Sequence, residues 1–209
     1  MALTLLGKAS SINVRKVLWT LDELGLAYAR EDWGSGFRDT REPGFLALNP
    51  NAMVPVLRDG NVVLWESNTI CRYLAAREAR SDLIGATPRE RAAIEQWMDW
   101  QATELNNSWR TVFMGRVRGS AAHQDPDALR AGEAAWARHM RILDAQLARG
   151  GPYVCGERFT LADVVLGLSE QRWRLTPLDD RPALPAVDAW RARLALRPAH
   201  RRHVDNGLP

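Results

Sequence analysis

The chain has 209 residues, a formal net charge of +3, 46% hydrophobic and 25% charged residues. This length allows one large domain or two small ones, and the composition is ordinary for a soluble globular protein. The arginines are spread rather than clustered, which argues against a nucleic-acid partner, and no run approaches the roughly 18 apolar residues of a membrane-spanning helix.

Ala2 to Leu6 is a short apolar run that reads as a strand. The start, MALTLLGKASS, lacks a basic segment and a long apolar core, so no signal peptide is expected. A polar loop, Gly7 to Asn13, follows. Val14, Val17, Leu18, Leu21 and Leu24 then form a helical stripe, which Gly25 ends as a C-cap residue. Ala27 to Asp32 is the second predicted strand. Trp33 to Thr40 is a glycine-containing loop, and Pro43 to Leu48 reads as a single helical turn.

Met53 to Ile70, MVPVLRDGNVVLWESNTI, is the stretch the chain is organised around. Val56-Leu57 begins a strand, Asp59-Gly60 is read as its turn, and Asn61 to Trp65 returns as the second strand of a hairpin. Pro55 stands where a sheet tolerates proline, at a strand start. A cis Val54–Pro55 bond would turn the main-chain groups of Val54 outward, where a peptide-like ligand can pair with them as an added strand. Ser67 begins the next helix, whose free N–H groups favour a carboxylate, and Glu66 beside it suits an ammonium. A hairpin followed by an ordinary serine-capped helix is the plainer reading of the same residues.

Arg77 to Thr87 is charged and loses periodicity, which divides the chain into 1–79, a linker 80–87 and 88–209. Pro88 is placed as a first helical residue. Ala92 to Val117 is a long helix with Ile94, Trp97, Met98, Gln101, Leu105, Ser108, Val112 and Gly115 near one side. Pro126 starts another helix to about Ala148, and Thr160-x-x-Asp163 is a capping-box variant opening an apolar helix, Leu161 to Leu168. Trp190 and Leu194 lie on a last helix that Pro198 ends. Cys71 and Cys155 make no C-x-x-C pair and no metal spacing, so they read as buried free thiols. The four histidines are scattered or lie in the tail, and no metal is expected.

The V-P, the hairpin and the E-S that follows it resemble the glutathione-binding pattern of the soluble glutathione transferases. The resemblance spans essentially the whole chain: the N-terminal half, the linker and F-T-L-A-D near residue 160 fall in the family's order. Ser-Ser-x-Asn from Ser10 is most similar to the bacterial theta-like and nu-like branches. The resemblance implies an α/β thioredoxin-like domain (βαβαββα) with an all-α helical-bundle domain after it. It also implies a cytoplasmic homodimer that uses glutathione as co-substrate against a small electrophile.

On this resemblance Val54 binds the cysteinyl backbone, Glu66 and Ser67 bind the γ-glutamyl head, and Met53 and Pro55 belong to the same glutathione-binding set. Many relatives carry lysine just before the V-P. Met53 takes that place here, so the glycyl carboxylate must be met by Arg38, Arg41 or Asn51. Asp99 or Gln101 is placed to reach the γ-glutamyl amine in the partner subunit. Trp33, Trp109, Arg110, Phe113 and Met114 are the expected electrophile pocket, with Arg110 suited to a carboxylate-bearing electrophile such as a haloacid.

A bound thiol must lose its proton to act as a nucleophile. From an ordinary pKa near 8.5, a fall of about two units needs about 2.7 kcal/mol of selective thiolate stabilisation. One hydrogen bond to a charged acceptor supplies about 1.5–3 kcal/mol. One donor therefore suffices, and neither a base nor a metal is required. Ser11 matches the serine of theta-like relatives and Asn13 the asparagine of nu-like ones; Ser10 is the third candidate. Conjugation or halide displacement is the leading expectation. Glutathione-dependent disulfide or peroxide reduction is an alternative, and a non-catalytic binding protein on the same fold is another. A glutaredoxin mechanism does not fit, since serines stand where its cysteine would be. The S-C-x-x-x-R pattern of the zeta-type isomerases is absent.

Overall fold

Seven elements build the N-terminal half of the computed structural model, which describes residues 3–209. They are β1 (Leu3–Leu6), α1 (Ile12–Leu24), β2 (Tyr28–Glu31), α2 (Pro43–Leu46), β3 (Val56–Asp59), β4 (Val62–Trp65) and α3 (Ser67–Arg77). Ala2, expected to open the first strand, lies outside the described residues. The sheet order is β2-β1-β3-β4. β1 runs parallel to β2 and antiparallel to β3, and β3 and β4 form the expected hairpin.

The pleat divides β1 and β3 between two cores, because successive side chains face opposite ways. Leu3, Leu5 and Leu57 join the main core with Val17, Leu18 and Ile70 from α1 and α3. Leu6 and Val56 face the other way, against Trp33 and Phe45. The hairpin turn sits one residue later than expected. Asp59 pairs with Val62, so Gly60-Asn61 is the two-residue loop, with Gly60 at φ 60°. Positive φ at the first loop position suits the right-handed twist of the strands.

The C-terminal half is helical. The expected linker holds a helical turn, α4 (Ser81–Ile84). α5 (Pro88–Trp100) starts at Pro88 behind a capping box of Thr87 and Glu90. The expected long helix runs on through a wide π turn, Gln101–Leu105, then α6 (Asn106–Val112) and a second π turn, Phe113–Val117. After a 3-10 turn, Ala121–His123, come α7 (Pro126–Gly150), α8 (Leu161–Leu175), α9 (Pro185–Leu194) and α10 (Pro198–His203). Two expectations are corrected here. α8 continues well past Leu168, buried as far as Trp173. Pro198 opens α10 rather than ending α9, since its missing N–H is no loss in a first turn.

α8 packs on both α1 and α5 and so runs along the junction of the two halves. Asp163 anchors its start. Its carboxylate accepts from Thr160 N at 2.8 Å, Thr160 Oγ1 at 3.1 Å, Val154 N at 3.0 Å and Trp190 Nε1 at 2.9 Å. Cys71 and Cys155 are free, and burial pushes their thiols up to about 11 and about 12. Neither thiol is disposed to react at neutral pH. Among the described residues no helix is long and apolar enough to cross a membrane, and no cluster of three or more His, Cys, Asp or Glu suits a metal ion.

Candidate active site

Ser11 is the N-cap of α1, with φ −77° and ψ 126°. A capping serine ordinarily gives its side-chain oxygen to a first-turn N–H. Here the carbonyl of Ser11 accepts from Arg15 N at 2.9 Å, but its side chain makes no cap bond. The first turn of α1 also holds no acidic residue. A half-buried hydroxyl and the positive end of a helix thus stand together. Ser10, next to it, is exposed.

Gly7 lets this loop approach the hairpin. It has φ 148°, and a Cβ there would lie 2.5 Å from Val14 Cγ2 and 3.1 Å from Val54 Cβ. The result is a cleft of about 270 Å³. Lys8, Ser10, Ser11 and Ile12 line it from the first loop, and Ala52, Met53 and Val54 from the segment before β3. Gly34, Ser35 and Thr40 come from the loop after β2, and Arg118 and Arg172 from the helical half.

The Val54–Pro55 bond is cis. Neither main-chain group of Val54 is paired with another main-chain group among the described residues. The preceding loop is braced by buried Asn49, whose Nδ2 donates to Met53 O at 2.8 Å and whose Oδ1 accepts from Asn51 N at 3.0 Å.

Glu66 and Ser67 form the junction of β4 and α3. Glu66 is exposed at φ 70°, an uncommon backbone conformation for a residue with a side chain. Ser67 is buried, and its Oγ donates to Asn13 Oδ1 at 3.4 Å. One turn beyond Asn13, buried Lys16 donates to Gln101 Oε1 at 2.8 Å and Asn68 Oδ1 at 3.2 Å. Asn68 Nδ2 donates to Met98 O at 2.8 Å, and Gln101 Nε2 to Ser169 Oγ at 3.1 Å. This polar network crosses between the halves. Burial pushes the Lys16 ammonium down to about 8, since its direct partners are neutral.

Several expected site residues lie elsewhere. Gln101 is locked in that network and cannot reach a partner subunit's ligand. Asp99 is exposed and paired with Arg72. Trp33 is a core residue, 4% exposed against Phe45, because it faces the small second core. The Arg38 guanidinium lies 3.7 Å from the centroid of the Trp33 ring and pairs with Glu31 and Glu42. Asn51 is exposed and donates to Asn49 rather than into the cleft. Arg41 is exposed beside Thr40, and its side chain makes no ion pair among the described residues. Arg110 is exposed and Met114 half-buried, and neither lines the cleft. Arg110 falls outside the stripe of Gln101, Leu105, Ser108 and Val112, so helical periodicity turns it towards water.

Trp109 and Phe113 do approach the cleft, through an arginine. The Arg172 guanidinium lies 4.3 Å from the centroid of Trp109 and 4.1 Å from that of Phe113. Sequence reasoning passed over Lys8, Thr40, Arg118 and Arg172. Lys8 had a visible signal, a lone cation two residues before Ser10; its Nζ donates to Ser35 O at 2.9 Å.

Two family models match the chain: "Glutathione S-transferase, N-terminal domain" over residues 10–77 and "Glutathione S-transferase, C-terminal domain" over residues 126–193. The chain is 37% identical over 204 residues to glutathione S-transferase GstB of Escherichia coli (strain K12), covering 97% of both. It is 36% identical to glutathione S-transferase 3 of Zea mays, covering 97% of this chain and 93% of that one. It superposes with a TM-score of 0.92 and 41% identity on a theta class glutathione S-transferase from Xanthomonas axonopodis pv. citri with glutathione bound, over 100% of this chain and 99% of that one. Cleft, fold and likeness agree, and the chain belongs to the glutathione S-transferase family.

Proposed function

We propose that glutathione lies in the cleft at Val54 and extends past its lining to Glu66 and Ser67, and that Ser11 Oγ donates to its sulfur. The thiolate so held attacks a small electrophile from the open side of the cleft. The observation that carries this reading is the Ser11 hydroxyl, which lines the cleft and is not used in capping its own helix. In this reading Val54 offers its main chain to the cysteinyl unit. The first turn of α3 receives the γ-glutamyl carboxylate, Glu66 its ammonium, and Arg41 the glycyl carboxylate.

The same reading takes 1–79 and 88–209 as the two domains and places the enzyme in the cytoplasm, where its co-substrate thiol stays reduced. A homodimer completes it. Val63 and Trp65 support a covered face there, being partly exposed apolar residues on one side of β4, the edge strand. Asn13 supports the reductase alternative, which shares the glutathione seat but yields oxidised glutathione, a product that a reductase-coupled assay detects.

The test is the pH–rate profile of Ser11→Ala. Loss of one hydrogen bond to a thiolate should raise the pKa of bound glutathione by about one to two units and cut kcat/KM below pH 7 by about ten- to a hundredfold. A profile unchanged by the substitution removes Ser11 from the role.

A further inference from the structure

We infer that Arg172, with Arg118 beside it, receives an anionic group on the electrophile, so that the second substrate is a carboxylate-bearing alkylating agent. The inference rests on the transferase reading above and names its substrate class.

Arg172 is only 5% exposed, yet it lines the cleft that holds Ser11. Its guanidinium sits in the corner between the rings of Trp109 and Phe113, which meet edge to face. Aromatic faces offset part of the hydration a buried cation loses, but they accept no in-plane hydrogen bond from its five N–H groups. Arg172 Nε is wholly buried without an acceptor, and no carboxylate pairs with the side chain among the described residues. Burial above all, and then the neighbouring cations Arg15 and Arg118, push it down to about 9.

Arg15 and Arg116 share an unpartnered buried Nε, so the difference lies in the terminal nitrogens, which the other enclosed arginines have satisfied. Arg15 donates to Asn206 Oδ1, Leu208 O and Pro209 O. Arg116 pairs with Glu133 and Asp179, and Arg197 with Glu23. Arg172 alone of these lines the cleft while its guanidinium has neither a hydrogen-bond acceptor nor a carboxylate among the described residues. A planar guanidinium in that state fits a carboxylate, which accepts two parallel N–H bonds.

Position assigns that carboxylate to the electrophile. The proposed glutathione contacts, Val54, Glu66 and Ser67, all belong to the N-terminal half, whereas Arg172 and Arg118 are the cleft residues of the helical half. For a 2-haloacetate the sulfur bonds to the α-carbon, the carbon–halogen bond breaks, and halide leaves with the electron pair. The thiol proton has already passed to solvent. The product is an S-carboxymethyl thioether, with no net redox change. Pairing the carboxylate with Arg172 also removes its repulsion of the incoming thiolate.

Iodoacetate and iodoacetamide test this, because they share a leaving group and nearly share a size but differ in charge. For the wild-type enzyme, acceleration over the uncatalysed glutathione reaction should be greater for iodoacetate by about tenfold or more. Equal acceleration, or a preference for the amide, overturns the proposal without recourse to a variant. In Arg172→Gln, kcat/KM for iodoacetate should fall by about ten- to a hundredfold while that for iodoacetamide stays within about twofold. Calorimetric Kd for glutathione should not change, and Arg172→Lys should keep part of the preference. Equal losses on both electrophiles, or a matching rise in glutathione Kd, place Arg172 in another role. Failure of the wild type to bind glutathione would take down the transferase reading as well; binding without charge preference takes down only the anion subsite.

Discussion

Ser67 on α3 donates to the side-chain oxygen of Asn13 on α1 at 3.4 Å, which joins the first turns of two helices. Neither first turn contains an acidic residue. Two positive helix ends therefore converge at the proposed glutathione site, an arrangement that favours a carboxylate.

Removing the Ser67 hydroxyl should be felt in binding before chemistry. Once the long hydrogen bond to Asn13 is exchanged for the incoming carboxylate, the Ser67 hydroxyl is a donor to a charged group, so in Ser67→Ala the glutathione Kd measured by calorimetry should rise by about tenfold or more. An unchanged Kd would detach Ser67 from the γ-glutamyl head.

Asp163 is a matter of stability rather than catalysis. It is fully buried and satisfies four donors from three separate segments, yet desolvation still raises its pKa. Asp163→Ala leaves Val154 N, Trp190 Nε1 and Thr160 N in the interior without acceptors. Urea unfolding should show a loss on the order of 3 kcal/mol or more, since each orphaned donor costs about 1–3 kcal/mol. A loss below about 1 kcal/mol would mean that water reaches these groups.

Glu170 offers a pH signature. Burial raises its carboxyl from 4.5 to about 7, only partly opposed by Arg191 at 4.0 Å. The folded state thus holds a proton that the unfolded chain releases above its own lower pKa. The stabilising contribution is complete below about pH 4.5 and is lost as pH rises through about 7. Glu170→Gln mimics the protonated form. Above pH 7 it should be the more stable protein, by on the order of 3 kcal/mol, and that advantage should fade towards pH 4.5. Unfolding curves at the two ends of this range give the answer; a constant difference would show that Glu170 does not titrate there.

What was legible in the sequence was local. Gly25 at φ 65°, Pro88 in the first turn of α5, the Thr160–Asp163 pair and the hairpin before Glu66-Ser67 each announce themselves through a few neighbouring residues. Trp33 misled because an aromatic in a glycine-rich loop gives no sign of which sheet face will bury it. The two faces of β1 and β3 decide that, and they come from distant positions. Arg172 was hidden for a related reason. The apolar run Leu161–Leu168 reads as a complete buried helix, and nothing local says that the polar residues after it remain inside. Only the approach of Trp109 and Phe113, some sixty residues earlier in the chain, makes an arginine tolerable there.

The network around Lys16 acts as a ruler. Lys16 is three residues beyond Asn13 on α1, Asn68 follows Ser67 on α3, and Ser169 is three residues before Arg172 on α8. Gln101 ties all three helices together from beneath the cleft. The spacing of the first turns of α1 and α3 from Arg172 on α8 is therefore set by hydrogen bonds among buried side chains. On the proposed assignment of the two seats, Gln101→Ala or Ser169→Ala should change which lengths of electrophile react with glutathione, while every side chain proposed to face the substrates stays the same.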